Sequence, residues 1–414
     1  MNWITVLFVL SLTAYVAIEW WLSIMHQRYI MRHREQVPTE FASVVSLEAH
    51  QKAADYSAAR LSLGRCALLF DVALLLILSI GGGFQLIYDF WLATDWLSGT
   101  ALDVVFMMSV FALLALLHLP FSLYSTFVTE TKFGFNKMSP AMFAKDTLKQ
   151  WLLILAIGLP LLWGMIAIMN AWIDDLWWLY AWAGWMGFNL LLVWVYPIWI
   201  APIFNQFTPL ADGEMKTRIE ALLHKTGFDS DGIFVMDGSS RSGHGNAYFT
   251  GFGKNKRIVF YDTLLEKLTV DEVEAVLAHE LGHFKHGHIK QRLVEGALMS
   301  LAGLALLGWL VQLPEFYSGL GLTTQTPVMA LLLFLTVVPS FFFWVSPLMA
   351  IKSRQHEFEA DAYAAKHASA SALISALLAM YRDNASTLTP HPWYSAYHDS
   401  HPPAKIRIDH LKAQ

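Results

Sequence analysis

The sequence is nearly free of cysteine. Cys66 is the single cysteine among 414 residues, which excludes an internal disulfide and a metal site built from cysteine thiolates. Because Cys66 stands within an apolar run, we expect it to be a small, buried, hydrophobic side chain.

Charged residues are also scarce. They make up 15% of the chain, while 56% of its residues are hydrophobic; soluble domains carry about 25% charged residues. The formal net charge of −5 offers no concentrated basic surface, which argues against nucleic acid as a partner. Most of the chain is therefore expected to lie in a lipid bilayer.

Seven apolar stretches are long enough to cross a membrane as helices of about 20 residues. They lie near residues 2–25, 65–90, 101–121, 151–171, 177–200, 294–313 and 327–351. The first has no basic residue before it and no small-residue cleavage site after it, so it is interpreted as a retained helix. These stretches predict an all-α integral membrane protein with seven transmembrane helices.

The basic residues are distributed asymmetrically. All 28 Lys and Arg fall within residues 26–65, 122–150, 201–293 and 352–414, whereas the connections 91–100, 172–176 and 314–326 contain none. Because basic loops remain on the cytoplasmic side, this pattern predicts an N-terminus outside and a C-terminus inside.

The chain is accordingly divided into four parts. Residues 1–201 hold spans one to five with cytosolic loops 26–64 and 122–150, and residues 294–351 hold spans six and seven. The polar segments 202–293 and 352–414 are predicted to fold together as a small cytosolic α+β domain. Within it, residues 232–237 are predicted as a strand, 246–250 and 257–261 as a hairpin around 251–256, and Thr269 with Glu272 as a helix-opening capping box.

The predicted spans contain polar residues and prolines. Ionisable side chains in a span either pair locally or line a water-filled cavity, and both alternatives stay open for Glu19, Asp71, Asp103, His118 and Glu295. Kinks, which would be compatible with an internal chamber, are predicted at Pro160, Pro197, Pro339 and Pro347.

The segment 276–288 contains the pattern H-E-x-x-H. On a helix it places His279 and His283 one turn apart, where both can bind one zinc ion, with Glu280 beside them as general base. A catalytic zinc needs a third protein ligand. His286 is a candidate, but a run of seven residues spans about 10 Å along a helix, which disfavours convergence of all three histidines on one ion.

A better third ligand follows the last predicted span. In the segment 353–361, Glu357 and Asp361 lie one helical turn apart, so Glu357 can bind zinc while Asp361 accepts the free N–H of a ligating histidine. The offset of Glu359 from Glu357 points it away from the ion. An ordinary solvated helix face remains the alternative for this segment.

Four motifs together resemble one known family. They are Ser242-Gly-His-Gly-Asn246-Ala-Tyr248-Phe-Thr-Gly251-Phe, His279-Glu280-Leu-Gly-His283, Ser353-Arg-Gln-His-Glu357-Phe-Glu-Ala-Asp361 and Ser400-His401-Pro-Pro403. With the seven spans, they make the chain similar to the type I CAAX prenyl proteases, zinc-dependent membrane endopeptidases of the endoplasmic reticulum with bacterial relatives. Gly243-His244-Gly245-Asn246 replaces the family's Ser-His-Ser-Asn. The end of the chain at Gln414, without an extended tail, favours a bacterial member.

The resemblance implies a helical barrel around a hydrated chamber, with a zincin-type, gluzincin-like domain at its cytosolic end. It implies one zinc ion per chain on His279, His283 and Glu357, and Glu280 as the base that takes a proton from water. Asn246, Ala247 and Tyr248 would form the edge strand that binds an extended peptide, and His401 with Arg407 would stabilise the oxyanion.

The implied reaction is hydrolysis of a peptide bond beside a C-terminal prenylated cysteine, in a bacterial inner membrane or the endoplasmic reticulum membrane. A quality-control protease for membrane proteins, without a prenyl requirement, is the first alternative. A transporter with a chance H-E-x-x-H pattern is remote, because the sequence shows no paired repeats.

Overall fold

Most of this protein is helical. The computed structural model describes residues 2–173, 176–251 and 256–414. Within them, six helices are long and apolar enough to cross a membrane: Trp3–Arg32, Leu47–Leu78, Gly99–Glu130, Pro140–Ala171, Trp177–Phe204 and His288–Leu310. The chain is therefore an integral membrane protein that crosses the bilayer several times.

The elements follow one another in two groups. The first comprises α1 (Trp3–Arg32), α2 (Leu47–Leu78), α3 (Gly83–Leu92), α4 (Gly99–Tyr124), α5 (Pro140–Leu153), α6 (Leu159–Ala171), α7 (Trp177–Val195) and α8 (Ala201–Phe204). The second comprises β1 (Phe207–Pro209), α9 (Glu214–Thr226), β2 (Ile233–Met236), β3 (Ala247–Thr250), β4 (Arg257–Tyr261), α10 (Asp262–Leu265), α11 (Val270–Lys285), α12 (His288–Leu310), α13 (Pro314–Gly319), α14 (Pro327–Thr336), α15 (Val345–His367), α16 (Ala370–Asp383), α17 (Pro392–His398) and α18 (Ala404–Lys412).

The segments predicted as cytosolic loops, residues 26–64 and 122–150, are largely helical. Helix α2 begins at Leu47, where the side chain of Ser46 accepts a hydrogen bond from the backbone N–H of Ala49. Helix α4 continues through a π-helical turn to Glu130, and α5 begins at Pro140 after the capping residue Ser139. Hydrophobicity identified only the apolar parts of these helices, because their polar ends contribute nothing to an apolar run.

The seventh apolar stretch is interrupted. Helix α14 ends at Thr336, a 3₁₀ turn from Val338 to Phe341 contains Pro339, and α15 starts at Val345. Proline has no N–H to donate and its ring clashes with the preceding helical turn, so an interior proline kinks or breaks a helix, and here the predicted single span is two helices. Pro347 lies in the first turn of α15, where backbone N–H groups have no helical partner, and it does not interrupt the helix as predicted.

Two other prolines accompany departures from α-helical geometry. A π-helical turn, Ile154–Gly158, joins α5 to α6 just before Pro160. A second, Tyr196–Ile200, joins α7 to α8 and contains Pro197. The lost N–H of proline favours such local rearrangement of the hydrogen-bond ladder.

Cys66 is exposed on α2, contrary to the expected burial. The outer face of a membrane helix can be apolar without any protein neighbour, so an apolar run does not by itself predict contact with a protein core.

The four described strands form one sheet in the order β1-β2-β4-β3. Strands β2 and β4 are parallel, while β3 pairs antiparallel with β4, Ala247 opposite Phe260 and Thr250 opposite Arg257. The predicted strand and hairpin are therefore present, although residues 252–255 of the hairpin turn lie outside the described residues. Strand β3 occupies an edge of the sheet.

The sheet packs against α11, which is buried among elements from both polar segments. One core contains Ile219, Phe260, Leu277, Ala364 and Leu377, so residues from 202–293 and 352–414 are packed together. The predicted capping box is present at the start of α11, because Thr269 and Glu272 exchange side chain and backbone hydrogen bonds. This packing fixes the helix that carries H-E-x-x-H.

Candidate metal and catalytic site

Helices α11 and α15 touch at Gly282, the glycine within H-E-L-G-H. A β-carbon at this position would lie 2.8 Å from Ala360 Cα and 3.0 Å from Tyr363 Cβ. Backbone atoms cannot yield to such a contact as a flexible side chain can, so only glycine permits this approach. The contact brings the turn of α15 that carries Glu357 and Asp361 against the histidines of α11.

His279, His283 and Glu357 converge there. Their possible ligand atoms all lie within 4.8 Å of one another. His279 Nε2 is 3.2 Å from His283 Nε2, and the Glu357 carboxylate is 3.5 Å from His279 Nε2 and 3.3 Å from His283 Nε2. Two imidazole nitrogens and one carboxylate oxygen are a donor set of catalytic metal sites that leave a position open.

The electrostatics of this group suit a cation. Among the described residues, Glu357 Oε2 is buried without a hydrogen-bond partner, and His279 Nε2 and a guanidinium nitrogen of Arg407 each lie 3.5 Å from it. Burial alone would lower the pKa of His279, but the carboxylates of Asp361 and Glu357 raise it to about 9. The unpartnered carboxylate oxygen of Glu357 and the two imidazole nitrogens beside it form a donor set that fits a metal ion.

Asp361 and Arg407 hold the outer side of His279. Asp361 Oδ1 lies 2.9 Å from His279 Nδ1, the nitrogen that faces away from the other ligands. Arg407 donates to both carboxylate oxygens of Asp361, at 2.9 and 2.5 Å, and is itself only 5% exposed. These hydrogen bonds, with that from His279, keep the pKa of Asp361 below its usual range although burial opposes this. An ionised Asp361 can accept a hydrogen from His279 Nδ1, which leaves the lone pair of His279 Nε2 directed at the other ligand atoms.

Glu280 lies where two cavities meet. A cavity of about 610 Å³ and one of about 320 Å³ are both lined by Glu280, Glu357 and His401. Burial raises the pKa of the Glu280 carboxyl. A carboxylate with a raised pKa, beside rather than within the ligand group, is suited to accept a proton from water.

Strand β3 runs past this junction. Asn246 and Ala247 line the larger cavity, whereas Tyr248 and Phe249 line the smaller one. The edge of the sheet therefore connects the spaces on the two sides of Glu280, which is the arrangement needed to lay an extended peptide across the site.

His401 completes the group from the segment before α18. Its Nε2 lies 3.4 Å from Glu357 Oε1, and Ser400 Oγ is 3.0 Å from its Nδ1. Arg354 donates to the backbone oxygen of Asp399 at 2.8 Å, which ties this segment to α15. The structure thus brings together every predicted site residue from the H-E-x-x-H helix, α15 and the late His-Pro-Pro segment.

Both parts of the chain match models of known protein families. A family model described as "CAAX prenyl protease N-terminal, five membrane helices" matches residues 26–206, and the model of peptidase family M48 matches residues 209–414. A CAAX prenyl protease 1 homolog of Arabidopsis thaliana is 41% identical over 293 residues, 70% of this chain and 68% of the relative. The chain belongs to peptidase family M48.

Two further relatives of this M48 peptidase match almost end to end. The CAAX prenyl protease 1 homolog of Homo sapiens is 30% identical, with 93% of this chain and 90% of the relative covered. The crystal structure of S. mikatae Ste24p is 31% identical and superposes with a TM-score of 0.93 over 99% of each chain. The chain is therefore a metallopeptidase, and the transporter alternative is wrong.

The cavities of this M48 peptidase continue among its membrane helices. The 610 Å³ cavity shares His26, Ser57 and Arg60 with a cavity of about 490 Å³. That cavity in turn shares Glu19 and Asp71 with a third of about 350 Å³. Adjoining cavities thus lead from the metal site into the helical bundle.

The ionisable residues of the predicted spans both pair and line cavities. Asp71 lies 2.6 Å from His118, and Asp103 accepts a hydrogen bond from Asn170 at 3.2 Å. Glu19 is 3.4 Å from His398, while Glu295 pairs with Lys352. Glu19, Asp71 and Glu295 also line cavities. For these three residues, therefore, both alternatives, local pairing and cavity lining, are observed.

The sequence did not predict the role of Asn384, whose side chain binds the backbone of the segment just before β3. Asn384 accepts a hydrogen bond from the N–H of Gly245 at 3.1 Å and donates to its carbonyl oxygen at 3.3 Å. Asn384 lies 139 residues away in the chain, and no local pattern marks it. His286 lies outside the convergent group of ligand atoms, in agreement with the preference for Glu357.

Proposed function

We propose that this M48 peptidase is a zinc metalloendopeptidase that cleaves prenylated CAAX-type substrates near their C-terminus. The observation that carries the proposal is the convergence of His279, His283 and Glu357 beside Glu280, at the junction of two cavities bordered by an edge strand. The names of the relatives indicate the substrate class.

In this proposal His279, His283 and Glu357 hold the metal. A zinc ion bound there would activate a water molecule and polarise the scissile carbonyl. Glu280 takes the proton of the attacking water and delivers it to the leaving amine. Asp361, held by Arg407, keeps His279 in the ligating tautomer.

The substrate would add to β3 as an extended strand along Asn246, Ala247 and Tyr248. Its scissile carbonyl then lies between Glu280 and His401, and His401 can donate to the oxygen as negative charge develops. The guanidinium of Arg407 is already hydrogen-bonded to Asp361. Arg407 would therefore contribute to oxyanion stabilisation mainly indirectly, by holding the neighbouring carboxylates in place.

We also propose an arrangement of the chain relative to the membrane. We assign the seventh crossing to α14, the 3₁₀ turn and the first part of α15 together. The sheet with α9, α11, α16 and α18 would form a small α+β zincin-type domain, and the distribution of the basic residues supports a cytosolic position for it. The source membrane, bacterial or endoplasmic reticulum, stays a prediction.

The orientation can be tested by labelling. In a Cys66→Ser background, a cysteine at Ser98 should react with an impermeant maleimide added outside sealed cells or vesicles. A cysteine at Asp212 should react only after the membrane is permeabilised. Both positions are exposed, so access depends on sidedness. Reaction of both from the same side would contradict the proposed arrangement.

The activity is tested with the purified full-length protein and a farnesylated CAAX peptide. We expect release of the last three residues, loss of cleavage with a chelator and recovery with zinc. The unprenylated peptide of the same sequence is the matched control and should be cleaved more slowly. Equal cleavage of the two peptides would favour the quality-control protease instead, and cleavage that survives chelation would contradict the metal mechanism.

A further inference from the structure

His288 lies directly behind His283. The two Nδ1 atoms are 2.9 Å apart, while His283 Nε2 faces His279 and Glu357 on the opposite side of its ring. His283 therefore has one nitrogen toward the metal site and the other toward His288. The resemblance and the H-E-x-x-H pattern assign no task to His288.

A sharp turn produces this contact. Helix α11 ends at Lys285 and α12 begins at His288, with Gly287 between them at φ 71°. Glycine adopts this left-handed conformation without steric cost, and the turn returns the first residue of α12 to the side of α11. His288 is buried, with 1% of its surface exposed.

The other nitrogen of His288 has a partner from α15. His288 Nε2 lies 2.8 Å from Glu359 Oε2. The ring of His356 stacks on that of His288, with centroids 3.9 Å apart and planes 9° from parallel, which fixes the orientation of the His288 ring. Glu359 points away from the ligand group as predicted, yet it is connected to that group through His288.

The positions of the protons follow along this chain of hydrogen bonds. An ionised Glu359 can only accept, so His288 Nε2 carries a hydrogen. The Nδ1 atom of a neutral His288 is then an acceptor, and His283 Nδ1 must donate to it. His283 Nε2 is left with a free lone pair directed at the metal position, as His279 Nε2 is by Asp361.

We propose that His288 is a positioning residue that, together with Glu359, holds His283 in its metal-binding tautomer and orientation. The inference rests on the proposed metal site and deepens it. The two histidine ligands would thus be held by different hydrogen-bond partners. His279 would be held by Asp361 of α15, which is bonded to Arg407 of α18, and His283 by His288 and Glu359.

Zinc affinity of the metal-free, full-length protein tests the proposal, measured by competition with a chromogenic chelator. His288→Phe keeps the ring and its stacking on His356 but removes the acceptor, and we expect zinc binding weaker by about 10- to 100-fold. His288→Asn places a carbonyl oxygen near the position of Nδ1 and should recover most of the affinity. The matched control His356→Phe keeps an aromatic ring stacked on His288, changes no member of the chain of hydrogen bonds and should leave the affinity unchanged.

Two outcomes would overturn the proposal: unchanged zinc affinity in His288→Phe, or equal losses in His288→Phe and His288→Asn. The thermal unfolding temperature of each metal-free variant is measured alongside. Loss of zinc affinity in His288→Phe and its recovery in His288→Asn, while the two variants unfold at similar temperatures, separates a positioning role from a purely structural one. Failure of the proposed function itself is recognised separately with His283→Ala. If that variant bound zinc as tightly as the unchanged protein, the metal would not be at this site.

Discussion

Replacing Glu280 by glutamine is expected to lower kcat by about 10²- to 10⁴-fold, the usual contribution of a general base, while zinc remains bound. Glu280 lines both cavities at the metal site but is not one of the convergent ligands. Glutamine has nearly the same shape and cannot accept the proton of the attacking water. The loss should therefore appear in turnover and not in metal content.

The pH profile provides a further check of this role. Burial raises the pKa of Glu280, so the carboxylate form is lost on acidification at a higher pH than for an exposed glutamate. In the unchanged protein, the acidic limb of kcat should reflect this protonation, and the residual activity of Glu280→Gln should lack that limb.

The matched control for Glu280 is Glu220→Gln. This change removes the same charge from the exposed face of α9 and should leave kcat unaltered. Both variants are assayed on the farnesylated peptide, with bound zinc measured by atomic emission. Full activity of Glu280→Gln would assign the base to another residue.

Local chemistry allowed the sequence to predict the H-E-x-x-H helix and its start. The capping box of Thr269 and Glu272 and the spacing of His279 and His283 each depend on no more than five consecutive residues. Hydropathy located the membrane helices for a similar reason, since about 20 apolar residues are needed to cross a bilayer.

The bounds of those helices were harder to predict, because capping residues and prolines determine them rather than hydrophobicity. Ser46 and Ser139 start α2 and α5 well outside their apolar parts. Pro339 lies in the 3₁₀ turn that interrupts the seventh apolar stretch, whereas Pro347 is tolerated in the first turn of α15. Apolar composition alone does not distinguish these two prolines.

The supporting contacts of the site depend on how distant helices cross. Gly282 lets α15 approach α11, and Gly287 returns the chain at His288. Neither glycine reveals its role in a single sequence, because the group it accommodates lies elsewhere in the fold. Sequence reasoning therefore reached Glu357 and Asp361 through ligand chemistry and resemblance, but it could not find the contacts of His288 with Glu359 or of Asn384 with Gly245.

The third ligand gives the last prediction, with Glu357→Ala as the decisive variant. We expect bound zinc to fall from about one ion per chain to a trace, and peptidase activity to disappear with it, because two imidazoles alone do not make a catalytic zinc site. Among the described residues no other carboxylate belongs to the convergent ligand group, so none is placed to replace Glu357.

His286→Ala is the matched control for the third ligand, because His286 is the alternative that the spacing of the histidines raises. Its ring faces His288 at a centroid distance of 5.7 Å and not the ligand group, so this variant should retain zinc and activity. Retained zinc in Glu357→Ala together with lost zinc in His286→Ala would place all three ligands on the α11 segment. The approach of α15 at Gly282 would then have no part in metal binding, so the pair of variants tests whether two helices from distant parts of the chain share one ion.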